Sequence, residues 1–287
     1  MNPTLTRLKV LALACALALL TGCSGEPTPR LKLETSAVMN FGFMPYNDPE
    51  HMRALFNAVS AHLCEHMKIQ MRFILAADYQ TMGRLMENQM VDLAWFTPAS
   101  YRRIGKKVGA IGICKPFRRG HGTYRPVIVV RKDNPAKTLA DLKGARFAYV
   151  ERNSTSGFVV PNLMLLQIGV KDPLTFFNEV AFTYSHGGSL RGVATGRYDA
   201  AAVYEGLPEE MASELGEGTI RPLEYGPSVP NDPIAVRPGL EPAAVERLRE
   251  LLLNMDKYPS GKKALQALDE LERISKFVPT DESDYRW

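Results

Sequence analysis

Apolar positions along this chain follow two rhythms. Short runs rich in β-branched and aromatic residues, at 31–43, 69–76, 91–96, 127–131, 145–150, 180–184, 198–204 and 221–226, predict strands. Between them apolar residues recur at spacings of three and four. In 50–67, Met52, Leu55, Phe56, Val59, Leu63 and Met67 make one stripe of a helix. Further helices are expected at 79–90, 158–168, 189–195, 241–255 and 260–273, with a short one at 139–144. Strands alternating with helices predict an α/β layer architecture with a mainly parallel sheet, in which ligands sit outside the carboxyl ends of the strands. Three loops there are rich in hydrogen-bonding groups: 45–48, 77–79 and 97–101. The strands led by Asp92 and Asp199 echo each other, each following a helix, which suggests two similarly built lobes. Gly and Pro punctuation at 120–124 and 227–233 reads as the crossovers between them.

The stretch 145–181 carries the most chemistry. A buried strand runs into Asn153-Ser154-Thr155-Ser156-Gly157 and then into a helix, with Pro161 tolerable in its first turn. Unpaired amides, the helix dipole and three hydroxyls together can cradle an anion. The same residues can serve as nothing more than an N-cap. The Gly-x-x-x-x-Gly-Lys spacing of a nucleotide-binding loop is absent.

The first residues read as a targeting segment. Arg7 and Lys9 precede an apolar run at 10–20, too short to span a bilayer, and Leu20-Thr21-Gly22-Cys23 resembles a bacterial lipobox with Cys23 as the lipidation site. Residues 1–22 are then a signal peptide and 23–30 a tether. Removing 1–22, which holds two basic residues and no acidic one, takes the balance from 35 to 33 basic residues against 31 acidic, a formal +2. No nucleic-acid partner is expected from so even a balance. Of the four cysteines, Cys64 and Cys114 remain, either paired in an oxidising envelope or buried as small apolar residues.

Several separated blocks now align with one pattern: Tyr79, Asp92–Tyr101, Gly122-Thr123-Tyr124, Asp141–Gly144, Asn153–Gly157, Ser185-His186, Asp199–Val203 and Pro230-Asn231-Asp232-Pro233. In that order they resemble the phosphonate-binding proteins of bacterial ABC transporters, the branch that also handles phosphite and phosphate. The resemblance implies a type II periplasmic binding fold with two α/β lobes, one of residues 31–123 plus 232–287 and one of residues 124–231. It implies that Ser154, Thr155 and Ser156 hold an oxyanion and that His186 donates from the second lobe. Tyr79 and Tyr124 would offer phenols across the cleft, and Asp232 would accept from a protonated oxygen; Thr97 and Tyr46 face the same gap. It also implies a monomeric, lipid-anchored periplasmic protein that is no enzyme, needs no cofactor and has a permease as partner, with a sensor kinase as the alternative. The cradle is expected to work without lysine or arginine. Glu205 and Pro126 depart from the family pattern, and a related sensor branch that uses a cysteine keeps Cys64 and Cys114 in view.

One rival of another class is His62-Leu63-Cys64-Glu65-His66, which matches the H-x-x-E-H motif of zinc peptidases on a predicted helix. His62 and His66 share a face, but a third ligand must come from elsewhere.

Overall fold

A computed structural model of the chain describes residues 37–286. The apolar runs form two open sheets. The first has the order β13-β4-β12-β3-β1-β2, built from β1 (Val38–Phe43), β2 (Gln70–Leu75), β3 (Leu93–Trp95), β4 (Ile111–Arg118), β12 (Ile234–Val236) and β13 (Ile274–Val278). The second has the order β10-β6-β9-β7-β8, from β6 (Pro126–Arg131), β7 (Arg146–Tyr149), β8 (Glu179–Phe182), β9 (Ala200–Tyr204) and β10 (Ile220–Tyr225). Between them β5 (Thr123–Tyr124) and β11 (Val229–Pro230) pair antiparallel, so the two crossovers run side by side.

The sheets are mixed, which corrects the expectation of mainly parallel pairing. Strands β1–β2, β1–β3, β7–β8 and β7–β9 are parallel, while β12 runs against both β3 and β4, β13 against β4, and β6 against β9 and β10. The cause is the return crossing: a strand arriving from the other sheet enters from the opposite end. Three strands of the first sheet, β4, β12 and β13, escaped the sequence pattern. Strand β4 (Ile-Gly-Ile-Cys-Lys-Pro-Phe-Arg) contains a glycine, a lysine and a proline and shows no period of two.

The second sheet shows why continuous apolar runs predict burial on both faces. Ile128 and Val130 of β6 join one core with Phe147 and Tyr149, whereas Val127 and Val129 join the other with Leu190 and Val193. The first sheet packs against α1 (Pro49–Met67), the helix foreseen from its stripe; Met52, Leu55, Val59 and Leu63 are fully buried. Asp48 caps it, accepting from His51 N at 3.0 Å. Two C-terminal helices, α5 (Pro242–Leu253) and α6 (Pro259–Glu272), cover the same core, and α2 (Tyr79–Glu87) follows β2. Among the described residues no helix is long and apolar enough to cross a membrane. Cys23 and the signal segment lie outside the described residues.

Candidate functional site

The hydroxyl turn departs usefully from its expected form. Helix was expected from residue 158; instead a π-helical turn, Thr155–Val159, opens directly after Ser154 and continues as α3 (Val160–Gln167). Pro161 explains the turn. It has no N–H for the carbonyl of Gly157, and that carbonyl accepts instead from Val150 N, at the end of β7, at 3.1 Å. The turn is thus pinned to its own strand. Ser154 Oγ accepts from Gly157 N at 3.0 Å, so this serine is a cap, as the plainer reading of the motif had it.

The turn faces the first sheet. Thr155 Oγ1 accepts from Ala99 N at 2.8 Å, and Thr97 Oγ1 donates to the Asn153 carbonyl at 3.4 Å. A hydroxyl that accepts still has its own proton to give, so Thr155 keeps one donor. Thr97 also forms a capping box with Ser100 at the helical turn Pro98–Ser100. A second contact joins the sheets where His186 N, at the start of α4 (His186–Ala194), donates to the Tyr46 carbonyl at 3.1 Å.

Several buried polar atoms have no partner, among them Tyr79 Oη, His186 Nδ1, Asp232 Oδ1 and Arg118 Nε. Tyr79 is 1% exposed and His186 3% exposed. Burial lifts the Tyr79 phenol well above its ordinary range; Glu151 and Asp232 add to this, and the nearby Ser154 hydroxyl opposes it. Burial also raises the Tyr124 phenol, with Asp232 adding and the hydroxyls of Ser156 and Thr155 and the charge of Arg118 opposing. Tyr79, Tyr124, Ser154, Thr155, Ser156 and Asp232 therefore share one neighbourhood. His186 reaches it from the side of Tyr204, whose ring lies 5.1 Å from the imidazole. Burial depresses His186 to about 3, so its ring is neutral at physiological pH and has one N–H to give. Burial pushes Asp232 up to about 7, with Arg118 opposing and Glu272 reinforcing.

Arg118, on β4, is the residue that sequence reasoning missed: its charge acts on Tyr124 and Asp232, beside a cradle expected to work without lysine or arginine. Its Nη2 donates to Glu272, which also accepts from Tyr46 Oη at 2.8 Å and contacts His51 Nε2 at 2.9 Å. Burial alone would raise the Glu272 carboxyl, but Arg118 and the bonds from His51 and Tyr46 overcome it and hold it below the usual carboxylate range. No local spacing marks this cluster, because its members come from three separate stretches of chain, 46–51, 118 and 272.

Cys64 and Cys114 are free thiols, and Cys114 is fully buried in the first core, away from the hydroxyl turn. The H-x-x-E-H pair packs between helices: His62 Nδ1 meets Ser260 Oγ at 3.0 Å, His62 Nε2 meets the Leu251 carbonyl at 3.2 Å, and His66 meets the same serine at 3.1 Å. Both nitrogens of His62 are thus occupied by α5 and α6. Among the described residues no three His, Cys, Asp or Glu side chains are grouped to hold a metal.

Residues 41–285 match the family described as ABC transporter, phosphonate, periplasmic substrate-binding protein. The chain belongs to this family. Members are periplasmic components that present a small ligand to a membrane permease. Phosphonate-family relatives include the phosphonates-binding periplasmic protein of Escherichia coli, 23% identical over 242 residues, covering 82% of this chain and 71% of that one. The phosphate-import protein PhnD of Mycolicibacterium smegmatis is 22% identical over 298 residues, covering 96% and 91%. Among solved structures, PhnD1 of Prochlorococcus marinus in complex with methylphosphonate superposes with a TM-score of 0.77 at 22% identity, covering 87% of this chain and 94% of that one. The phosphonate-binding fold is the type II periplasmic binding fold, as the sequence pattern led one to expect.

Proposed function

We propose that this protein captures a small tetrahedral oxyanion, a phosphonate, phosphite or phosphate, between its two sheets. The observation that carries this reading is the pair of buried polar atoms without partners beside the hydroxyl turn, Tyr79 Oη and Asp232 Oδ1, with His186 Nδ1 a third unpaired buried atom against Tyr204. Leaving such groups unpaired costs about 1–3 kcal/mol each, a cost that a ligand with complementary oxygens removes. The hydroxyls of Thr155, Ser156, Tyr79 and Tyr124 and the turn's amides supply donors; Ser154 holds the turn in shape. Asp232 in its ionised form accepts from a protonated oxygen, which favours a hydrogen-phosphonate over a fully ionised anion such as sulfate.

In the same reading the lobes are residues 31–123 plus 232–287 and residues 124–231, and they close by bending at the paired crossovers β5 and β11. The mature chain is a lipid-anchored monomer held through Cys23, and the permease takes the ligand unchanged, with no chemistry performed on it.

A thermal-shift screen over methylphosphonate, phosphite, phosphate and sulfate tests the reading. A true ligand at a hundred times its Kd adds about 2.7 kcal/mol of stability. Stabilisation by sulfate equal to that by the phosphorus anions, or by none of the four, overturns it.

A further inference from the structure

Tyr124 also lines a cleft of about 350 Å³ whose wall includes Arg118, Tyr204 and Tyr225. Tyr124 is common to cleft and turn, which sets this space next to an anion held at the turn. The wall mixes polar and apolar surface, and the state of its charged groups says what it accepts. Glu205 is committed to Arg125, accepting from its backbone N at 2.6 Å and its Nε at 3.2 Å. Glu210 nearby is committed to Arg119 Nη2 at 2.7 Å and Tyr204 Oη at 2.9 Å. Glu209 stands at the exposed rim. Arg118 differs. Glu272 takes Nη2, Nε has no partner, and the side chain, 12% exposed, contributes to the cleft wall.

We propose that Arg118 is a specificity-determining residue, whose guanidinium edge left unused by Glu272 receives an anionic group on the ligand's substituent. The preferred ligands are then phosphonates with a carboxylate tail, in preference to alkyl or amino-alkyl ones. This rests on the reading of the hydroxyl turn as the site of the tetrahedral head. The Tyr46–Glu272–His51 scaffold fixes the guanidinium in advance, so little side-chain freedom is lost on binding. The planar fork of arginine suits a carboxylate in particular.

The test compares phosphonoacetate with n-propylphosphonate, near-isosteres that differ in the tail charge, by titration calorimetry on wild type and Arg118→Gln. Wild type is expected to bind phosphonoacetate roughly tenfold or more tightly, the size of one charge-assisted hydrogen bond. In Arg118→Gln the ratio is expected to fall to near one. Equal affinities in wild type, or a ratio that survives the substitution, overturn the proposal. If Arg118→Gln does not fold, Arg118→Lys, which keeps the charge opposite Glu272 but loses the fork, is expected to lose most of the ratio, and an unchanged ratio there is equally fatal. A wild type that binds methylphosphonate but shows no tail preference refutes this inference alone. One that binds no phosphonate at all removes the site reading as well.

Discussion

The amide of Ala99 donates to Thr155 Oγ1 at 2.8 Å, so a hydroxyl of the second sheet's turn caps the backbone of the first. This bond exists only while the two sheets are in contact, and its loss weakens the closed form alone. Thr155→Val leaves the amide buried and unpaired, at about 1–3 kcal/mol. The Kd for a phosphonate should rise about tenfold or more by calorimetry, with little change in the melting temperature of the ligand-free protein. The substitution also removes the Thr155 hydroxyl as a donor to the ligand, so an unchanged Kd refutes both that role and the bond's role in closure.

Gly157 is required by close approach. A Cβ there would meet Val150 Cβ and Cγ2 at 2.5 Å and Ser154 Oγ at 2.8 Å. Gly157→Ala must therefore push the turn off its strand. Ligand-induced thermal stabilisation should disappear while circular dichroism still reports a folded α/β protein. Retention of the full shift would show that the turn tolerates the displacement.

Asp232 and Glu272 have opposite pH signatures. Asp232, raised to about 7, keeps its proton in the native state at pH values where the unfolded chain has released it. Stability from this group therefore falls as pH rises from about 4 to about 7. Asp232→Asn removes that slope, and its melting temperature relative to wild type should be higher at pH 8 than at pH 5. A constant difference across that range contradicts the assignment.

Glu272, held below its ordinary value, stabilises fully above the unfolded glutamate range, and that contribution is lost as pH falls from there toward about 2. Removing the charge strands Arg118. Glu272→Gln should cost about 3–5 kcal/mol at pH 7, less at pH 3.5, by urea unfolding. Equal losses at both pH values would show that the charge is not what matters.

Zinc should be absent in stoichiometric amount from purified protein, and a chelator should leave the melting temperature unchanged, because His62 spends both ring nitrogens on Ser260 and Leu251. Elemental analysis settles this, and one bound zinc per chain would reverse it.

What the sequence made legible was local. Helix α1 follows from its stripe and its Asp48 cap, and the hydroxyl turn from the order of strand, serines and helix. What escaped was set by contacts across the chain. Strands β4 and β12 have three-dimensional neighbours but no sequence rhythm, and Arg118 sits at the end of one of them. The π-helical start at Thr155 depends on the pairing of Gly157 with Val150, which no count of apolar spacing reveals. The match to phosphonate-family blocks found Tyr79, His186 and Asp232, whose pairing needs are visible only once folded.

The position of β12 between β3 and β4 bears on how the chain is assembled during synthesis. Until residue 236 has emerged, the N-terminal strands have no central member to join them, and their edges stay open. All five strands of the second sheet lie between residues 126 and 225, so that half can complete itself while the other waits. Every strand of the second sheet has therefore been synthesised before the first sheet can receive β12 and β13.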